Sequence, residues 1–451
     1  MESVENTTAG SPDAGMSRRR LLQLMGTAAV AVPALGSLGA NAAAAPSAPR
    51  RRAASGETVE LNLAYLGDAN QQATWEALFA EFNKANPDIK IKATGLAAGN
   101  WGNYVSTVAT QIAGGAKYDI VYVATEGQRL FTSKNLLLPL DDYIAADQEA
   151  IDDYYADVPA NLLEWTQKYG SPDGQTYFIP GGYNTVVMYC NVEVFEAAGA
   201  TLPEKDWTWD EFYEAGVKIK ENGGYIYPLG SDFPFVQTMP WLLTNGASTM
   251  DADWATATYN SPEAVEAAEF VKKCIDDGLS PVPGGEFDGL AQLSDGKLGA
   301  IAGGRWVTGD IRRLELVDKI RIVNWPTKTG NGSPIGWDGW PIMKSSDHPD
   351  EAWQFLKWLT TTEASVYYAE QGGTNIPART SVATSESFLA DAPAGSELLP
   401  AAVEYATPIP SPDNLPEVEA AVNDGWTAAI TGNQDAQEAL DAANEAIQAV
   451  L

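Results

Sequence analysis

The sequence predicts an α/β protein whose mainly parallel sheets are covered by helices, divided between two domains. Three observations predict it. Between residues 59 and 123, strand-like and helix-like patterns alternate as β-α-β-α-β, the order that favours parallel strands with crossover helices. The alternation then continues down the chain. Finally, about 400 residues follow the N-terminal segment, more than one hydrophobic core usually supports.

Val59 to Tyr65 alternates like a strand, and Gly67-Asp68-Ala69-Asn70 reads as a loop. Trp75, Leu78, Phe79 and Phe82 then recur at helical spacing, and the helix ends before Asn86-Pro87. Ile89 to Lys92 is a second strand, Tyr104 to Ile112 a helix stopped by Gly114-Gly115, and Tyr118 to Val123 a buried strand. Tyr177–Ile179 and Thr185–Tyr189 read as strands, with Gly181-Gly182 as a turn between them. Thr208 caps a helix over Trp209–Lys220, and Ser261 followed by Pro262 opens another that reaches Gly278. Leu298–Ile301 is a short strand and Pro349–Thr361 a helix rich in aromatics. Two alanine-rich amphipathic helices, joined at Thr431-Gly432-Asn433, fill residues 425–451.

The N-terminus carries an address. Ser17-Arg18-Arg19-Arg20-Leu21-Leu22 precedes a weakly apolar stretch, Leu24 to Leu38, broken by Gly26 and Pro33. Ala40-Asn41-Ala42 and Ala42-Ala43-Ala44 offer small-x-small cleavage sites. This pattern resembles a twin-arginine export signal, so residues 1–45 are expected to be removed and the chain to work outside the cytoplasm. No cysteine lies near the cleavage site to take a lipid. Residues 46–56, with Pro46, Pro49 and Arg50-Arg51-Arg52, read as a disordered lead-in.

Composition excludes several functions. Removing residues 1–45 takes away three arginines and three acids, leaving the net charge at −32. So acidic a chain repels phosphate backbones, and no nucleic-acid partner is expected. His348, in a polar loop, is the only histidine, which excludes a zinc site built from histidines and leaves a nucleophilic triad almost no base. No metal or other cofactor is expected. Cys190 and Cys274 are either two buried thiols or one disulfide.

Six segments in order carry a resemblance. Leu78 to Lys92 (LFAEFNKANPDIKIK), Gly115 to Ile144, Gly174 to Gly199, Leu293 to Trp306 (LSDGKLGAIAGGRW), Ser345 to Ala364 and the closing helices are similar to family 1 extracellular solute-binding proteins, the maltose-binding type. The resemblance spans residues 58–451 and implies a two-lobed periplasmic-binding-protein type II fold. One lobe would take 57–180 plus 340–385, the other 183–336 plus 390–451, with ligand trapped between them as they rock about the crossings. It implies a monomeric receptor, not an enzyme, that delivers a carbohydrate to the membrane permease subunits of an ABC importer. A polyol, glycerol phosphodiester or polyamine is the alternative ligand, and a secreted glycosidase the remote alternative.

Ligands of open α/β sheets sit beyond the carboxyl ends of strands. That rule selects Asp68, Asn70 and Glu126, the last also where the family often places an acidic sugar ligand. Sugars bury their C–H faces against aromatic rings. Trp306, after Gly303-Gly304-Arg305, resembles the family's sugar-stacking tryptophan. Trp337, Asp338 and Trp340 fall at the second expected crossing, Tyr183 and Asn184 at the first. Trp101 stands in a polar glycine loop, and Phe235 belongs to a segment (Asp232 to Phe235) that resembles a sugar-facing loop of the family. Trp241 lies near that segment and suits core or cleft; Trp75, Trp353 and Trp358 read as core.

Overall fold

The structure, a computed structural model, describes residues 58–451 except Asp68, Gly99, Pro172 and Asp232, and without the side chains of residues 69–71. The expected signal (1–45) and lead-in (46–56) lie outside the described residues, as does Asp68. The strands are β1 (Val59–Leu66), β2 (Ile89–Leu96), β3 (Ile120–Val121), β4 (Val123–Ala124), β5 (Leu137–Leu138), β6 (Ile179–Thr185), β7 (Val187–Asn191), β8 (Ala300–Gly303), β9 (Ile320–Val323), β10 (Ser333–Trp340), β11 (Ile342–Met343), β12 (Ile376–Pro377) and β13 (Ala406–Pro408).

The first sheet has the order β2-β1-β3-β11-β5. Its centre is parallel, as the β-α-β alternation predicts: β1 pairs with β2 from Val59–Ile89 to Leu66–Leu96, and with β3 on its other side. In β2 the isoleucines are buried and Lys90 and Lys92 exposed, the pattern of an edge strand covered on one face. The helix Ala69–Ala85 lays Trp75, Leu78, Phe79 and Phe82 onto this sheet, all buried. β11 returns antiparallel from far down the chain to pair with both β3 and β5.

The other two sheets are mostly antiparallel, a departure from the mainly parallel expectation. The second runs β12-β6-β10-β13, with β4 also on β10, and only β10–β13 is parallel. The third, β8-β7-β9, is antiparallel throughout, its central strand built of buried Val187, Met188, Tyr189 and Cys190. The reason is connectivity. The consecutive strand-helix-strand unit β1–β2 is parallel, whereas β6 and β7 take antiparallel partners more than 100 residues further along the chain.

Local signals place several elements correctly. Thr208 forms a full capping box: its Oγ1 accepts from Glu211 N (3.2 Å), and Glu211 Oε2 accepts from Thr208 N (2.7 Å). Ser261 caps Pro262–Asp276 by accepting from Ala264 N at 3.2 Å. The closing helices, Leu415–Thr431 and Ala436–Val450, turn at Gly432 with φ +73° and pack so closely that a Cβ on Gly425 would lie 2.4 Å from Ala443 Cβ. Cys190 and Cys274 are free and buried, and burial raises both thiols, Cys274 to about 12.

Other expectations are corrected. Tyr118–Val123 is not one strand: β3 ends at Val121, Tyr122 makes the step, and β4 pairs with β10 in the second sheet. Gly181 and Gly182 lie inside β6 instead of a turn. Asn70 falls in the first turn of a helix that begins at Ala69, not in a loop, and Trp101 is the first residue of Trp101–Ala113, capped by Asn100. Trp241 is fully buried.

Among the described residues, no helix is long and apolar enough to cross a membrane, and no group of three or more acids, histidines or cysteines is placed to hold a metal.

Candidate ligand site

The place where the chain passes from β3 in the first sheet to β4 in the second opens onto a cavity of about 260 Å³. Its acidic wall is Glu126, in the first turn of the helix Thr125–Ser133, and Asp338, on β10. Its aromatic walls are Trp101 and Tyr122 on one side, with Trp306, Phe233 and Phe235 on another. Tyr183 and Asn184 on β6 and Trp337 on β10 also line it, the two strands being antiparallel with Trp337 opposite Tyr183 and Gly336 opposite Asn184. Among the described residues, no lysine, arginine or histidine lines it.

Each side chain is held by its own local device. Trp306 opens the helix Trp306–Arg313 directly after β8 and is half-buried, its ring 6.2 Å from Phe235 and 6.5 Å from Phe233. Gly303 has φ +158°, and a Cβ on Gly304 would meet Trp306 Cζ3 at 2.3 Å and Asn184 Oδ1 at 2.5 Å. Asn184 Oδ1 accepts from Arg305 N at 2.8 Å while its amide donates to Asn375 Oδ1 at 2.9 Å, tying this turn to the 374–375 segment. Gly304→Ala is therefore expected to cost about 1–3 kcal/mol of stability by overpacking. The midpoint of urea unfolding reads that cost, and ligand binding should weaken with it as Trp306 shifts.

Asp338 is 4 % exposed. Its Oδ2 accepts from Asn375 Nδ2 at 2.5 Å, and the same nitrogen also reaches Tyr122 Oη at 2.5 Å. Gly181 and Gly182 let the carboxyl lie on their backbone amides: a Cβ on Gly181 would be 2.2 Å from Asp338 Oδ1. That oxygen nevertheless completes no hydrogen bond. Burial pushes Asp338 up to about 7 against the opposing pull of Tyr122, Asn375 and the glycine amides. Burial likewise pushes Glu126 up to about 7; its own backbone amide opposes this, and the charge of Glu419 adds to it. Glu126 Oε2 is buried with no partner.

Both acids are raised above their ordinary values of 4.5 and 3.8, so each favours the folded chain when protonated. That contribution is complete below about pH 4 and is lost as pH rises through about 7. Glu126→Gln is thus expected to stabilise the ligand-free chain at pH 8 by on the order of 1–3 kcal/mol, and to be neutral near pH 4. Denaturant unfolding of parent and variant at the two pH values checks the sign.

Of the residues selected from the sequence, eight line the cavity: Trp101, Glu126, Tyr183, Asn184, Phe235, Trp306, Trp337 and Asp338. Trp340 does not. It packs on Tyr122 (4.6 Å) and Trp75 (5.6 Å), and borders a smaller cavity of about 40 Å³ behind them. Asp68 lies outside the described residues, and the side chain of Asn70 is not described. Tyr122, Phe233, Asn100, Thr374 and Asn375 line the cavity without having been selected, and Trp75, read as core, borders it as well as packing in the aromatic cluster.

A family model described as bacterial extracellular solute-binding protein matches residues 68–366. The chain belongs to this family. A binding protein of Brucella abortus is 25% identical over 356 residues, 76% of this chain and 82% of the relative. The solute-binding protein superposes on the GacH receptor of Streptomyces glaucescens, solved unliganded and with acarbose, with TM-score 0.75 and 21% identity over 87% of this chain and 98% of that one. It does so equally well on the ABC substrate-binding protein Lmo0181 of Listeria monocytogenes in complex with cycloalternan (TM-score 0.75, 21% identity, 87% and 99% covered). The fold of the solute-binding protein is therefore the two-lobed type II arrangement.

Proposed function

We propose that the chain is an exported receptor that closes on a carbohydrate and hands it to the permease subunits of an ABC importer. The observation that carries the ligand class is the cavity wall: aromatic rings for sugar faces, beside the carboxyls of Glu126 and Asp338. A carboxylate accepts from two neighbouring sugar hydroxyls, and charge-assisted bonds of this kind are worth roughly 1.5–3 kcal/mol each. The acarbose and cycloalternan bound by proteins of the same fold support this reading. A cavity of about 260 Å³ suits a short saccharide, the enclosed part of a longer one included.

The lobes we assign as 57–180 plus 340–385 and 183–336 plus 390–451 rock about the crossings at β6 and β10. The receptor works as a monomer and leaves its ligand unchanged. A thermal-shift screen against mono- and oligosaccharides, polyols, glycerol phosphates and polyamines tests the class, since ligand at a hundred times its Kd adds about 2.7 kcal/mol of stability. A shift with saccharides alone supports the reading; a shift confined to glycerol phosphates or polyamines overturns it. Chromatography of the saccharide hits after prolonged incubation should show no products. For export, Arg18→Lys with Arg19→Lys should hold the precursor inside the cell, and wild-type-like release of that variant refutes the twin-arginine route.

A further inference from the structure

We infer that Tyr169 and Trp254 form a clasp outside the cavity that holds the two lobes in the arrangement enclosing the ligand, and so act as positioning residues for its capture. The inference rests on the two-lobe reading above. Tyr169 ends the helix Ala160–Gly170 of one lobe, and Trp254 stands in a loop of the other. Their rings stack at 3.9 Å with 11° between the planes. Tyr169 Oη donates to Ala252 O at 2.7 Å, and Lys168 Nζ reaches the same carbonyl at 2.9 Å and Asp253 at 2.8 Å. The ion pair is exposed and contributes little, so the stacked rings and the hydroxyl bond carry the clasp.

The loop is built to present this ring. Trp254 has φ +56°, a left-handed backbone that a tryptophan keeps only where its surroundings over-determine it. Here they do. Asp251 N donates to Thr256 O at 2.9 Å, Asp251 Oδ1 accepts from Ala255 N at 2.9 Å and Asp253 N at 3.3 Å, and Met250 bridges Ala257. The indole so presented is buried against the opposite lobe, 4 % exposed.

Beside the clasp the lobes stand apart. A groove of about 660 Å³ separates Glu164 and Trp165 on one side from Leu243, Ser248 and Glu263 on the other. Surfaces with a gap between them are free to rock, and a contact that bridges the gap biases which arrangement is populated. The arrangement that closes the clasp also sets Trp101 and Glu126 of one lobe opposite Phe235 and Trp306 of the other. Clasp and enclosed cavity therefore form together. They are joined through Tyr169, whose ring also lies 6.1 Å from that of Trp337 in the cavity wall.

Small-angle X-ray scattering of the ligand-free mature chain tests this on the parent, W254A, W254F and Y169F, with circular dichroism confirming that each is folded. The expected result is a larger radius of gyration for W254A, a smaller increase for Y169F, which keeps the ring and loses the bond to Ala252, and a parent-like value for W254F. Maltotriose bound by the parent should be bound about three- to tenfold more weakly by W254A, through faster release at an unchanged rate of association, although the substitution removes nothing from the cavity wall. A folded W254A with the parent's radius overturns the clasp and leaves the receptor reading standing. Should W254A not fold, a parent-like radius for Y169F overturns it instead. A parent that ignores maltotriose counts against that saccharide as ligand, and the scattering still decides the clasp.

Discussion

Trp337→Ala is expected to lower the free energy of unfolding by about 3–5 kcal/mol, the loss of a large buried aromatic. Trp337 is 1 % exposed, with its ring 6.2 Å from Trp165 and 6.1 Å from Tyr169, and Tyr169 in turn stacks on Trp254 at 3.9 Å. Its indole Nε1 donates to Gln128 Oε1 at 3.1 Å. Its backbone is clamped at both ends by one hydroxyl: Thr125 Oγ1 accepts from Trp337 N (2.8 Å) and donates to Trp337 O (3.0 Å). The tryptophan therefore joins β10 to the helix Ala160–Gly170 and to the helix whose first turn presents Glu126. Removing it should weaken ligand binding together with stability. Trp337→Phe keeps most of the ring contact and loses the Gln128 bond, so it should cost less, about 1–3 kcal/mol. Guanidinium unfolding followed by circular dichroism separates the two variants. A loss below 1 kcal/mol for the alanine variant would show that the crossing does not depend on this ring.

What the sequence makes legible is what a short stretch of chain decides for itself. The capping box at Thr208, the Ser261-Pro262 helix start and the turn at Gly432 are local chemistry, and each element begins or ends where that chemistry says. Glu126 was found because it directly follows a strand, where a ligand meets the end of a sheet, and Trp306 because its glycine-flanked segment resembles the family's sugar-stacking position. The missed residues obey no local rule. Tyr122 looks like any buried strand residue, yet it is where the chain leaves one sheet for another, and only β10, more than two hundred residues later, makes that step visible. Asn375 reaches the cavity because it bridges Tyr122 and Asp338, partners 253 and 37 residues away.

Gly181 and Gly182 read as a turn because two glycines usually make one. Here they are glycine because Asp338 and Trp340, on the partner strand, occupy the space of a side chain at Gly181. Trp340 was selected with Trp337 and Asp338 as one cluster at the crossing. The register of β10 against β6 shifts between Trp337 and Gly339, and that irregularity decides which side chains meet the cavity. Trp340 ends among Trp75, Tyr122 and Phe355, as part of the wall behind it. Trp75 shows the converse: helical periodicity correctly puts it in the core, and the cavity is the edge of that core.

Trp306→Ala is expected to weaken binding of the cognate saccharide by roughly 10- to 100-fold, the 1.4–2.8 kcal/mol that an aromatic anchor carries in a well-packed site. Three features point to this ring. It stands at the first position of a helix straight after β8, on a backbone that two glycines allow to approach the cleft. It is half-buried, so part of its face is left to cover something. Its cavity neighbours Phe233 and Phe235 are tilted at 55° and 41° to it, so neither lies flat on the indole. Because the ring is only partly buried, the same substitution should change stability much less than Trp337→Ala, by about 1 kcal/mol. Trp306→Phe should restore most of the affinity, since a phenyl ring still offers a flat apolar face to the sugar. Calorimetric titration of the three proteins with the best saccharide from the screen measures the effect. Parent-like affinity in the alanine variant would remove Trp306 from the binding surface and shift the stacking role to Trp101, the cavity's other half-buried tryptophan.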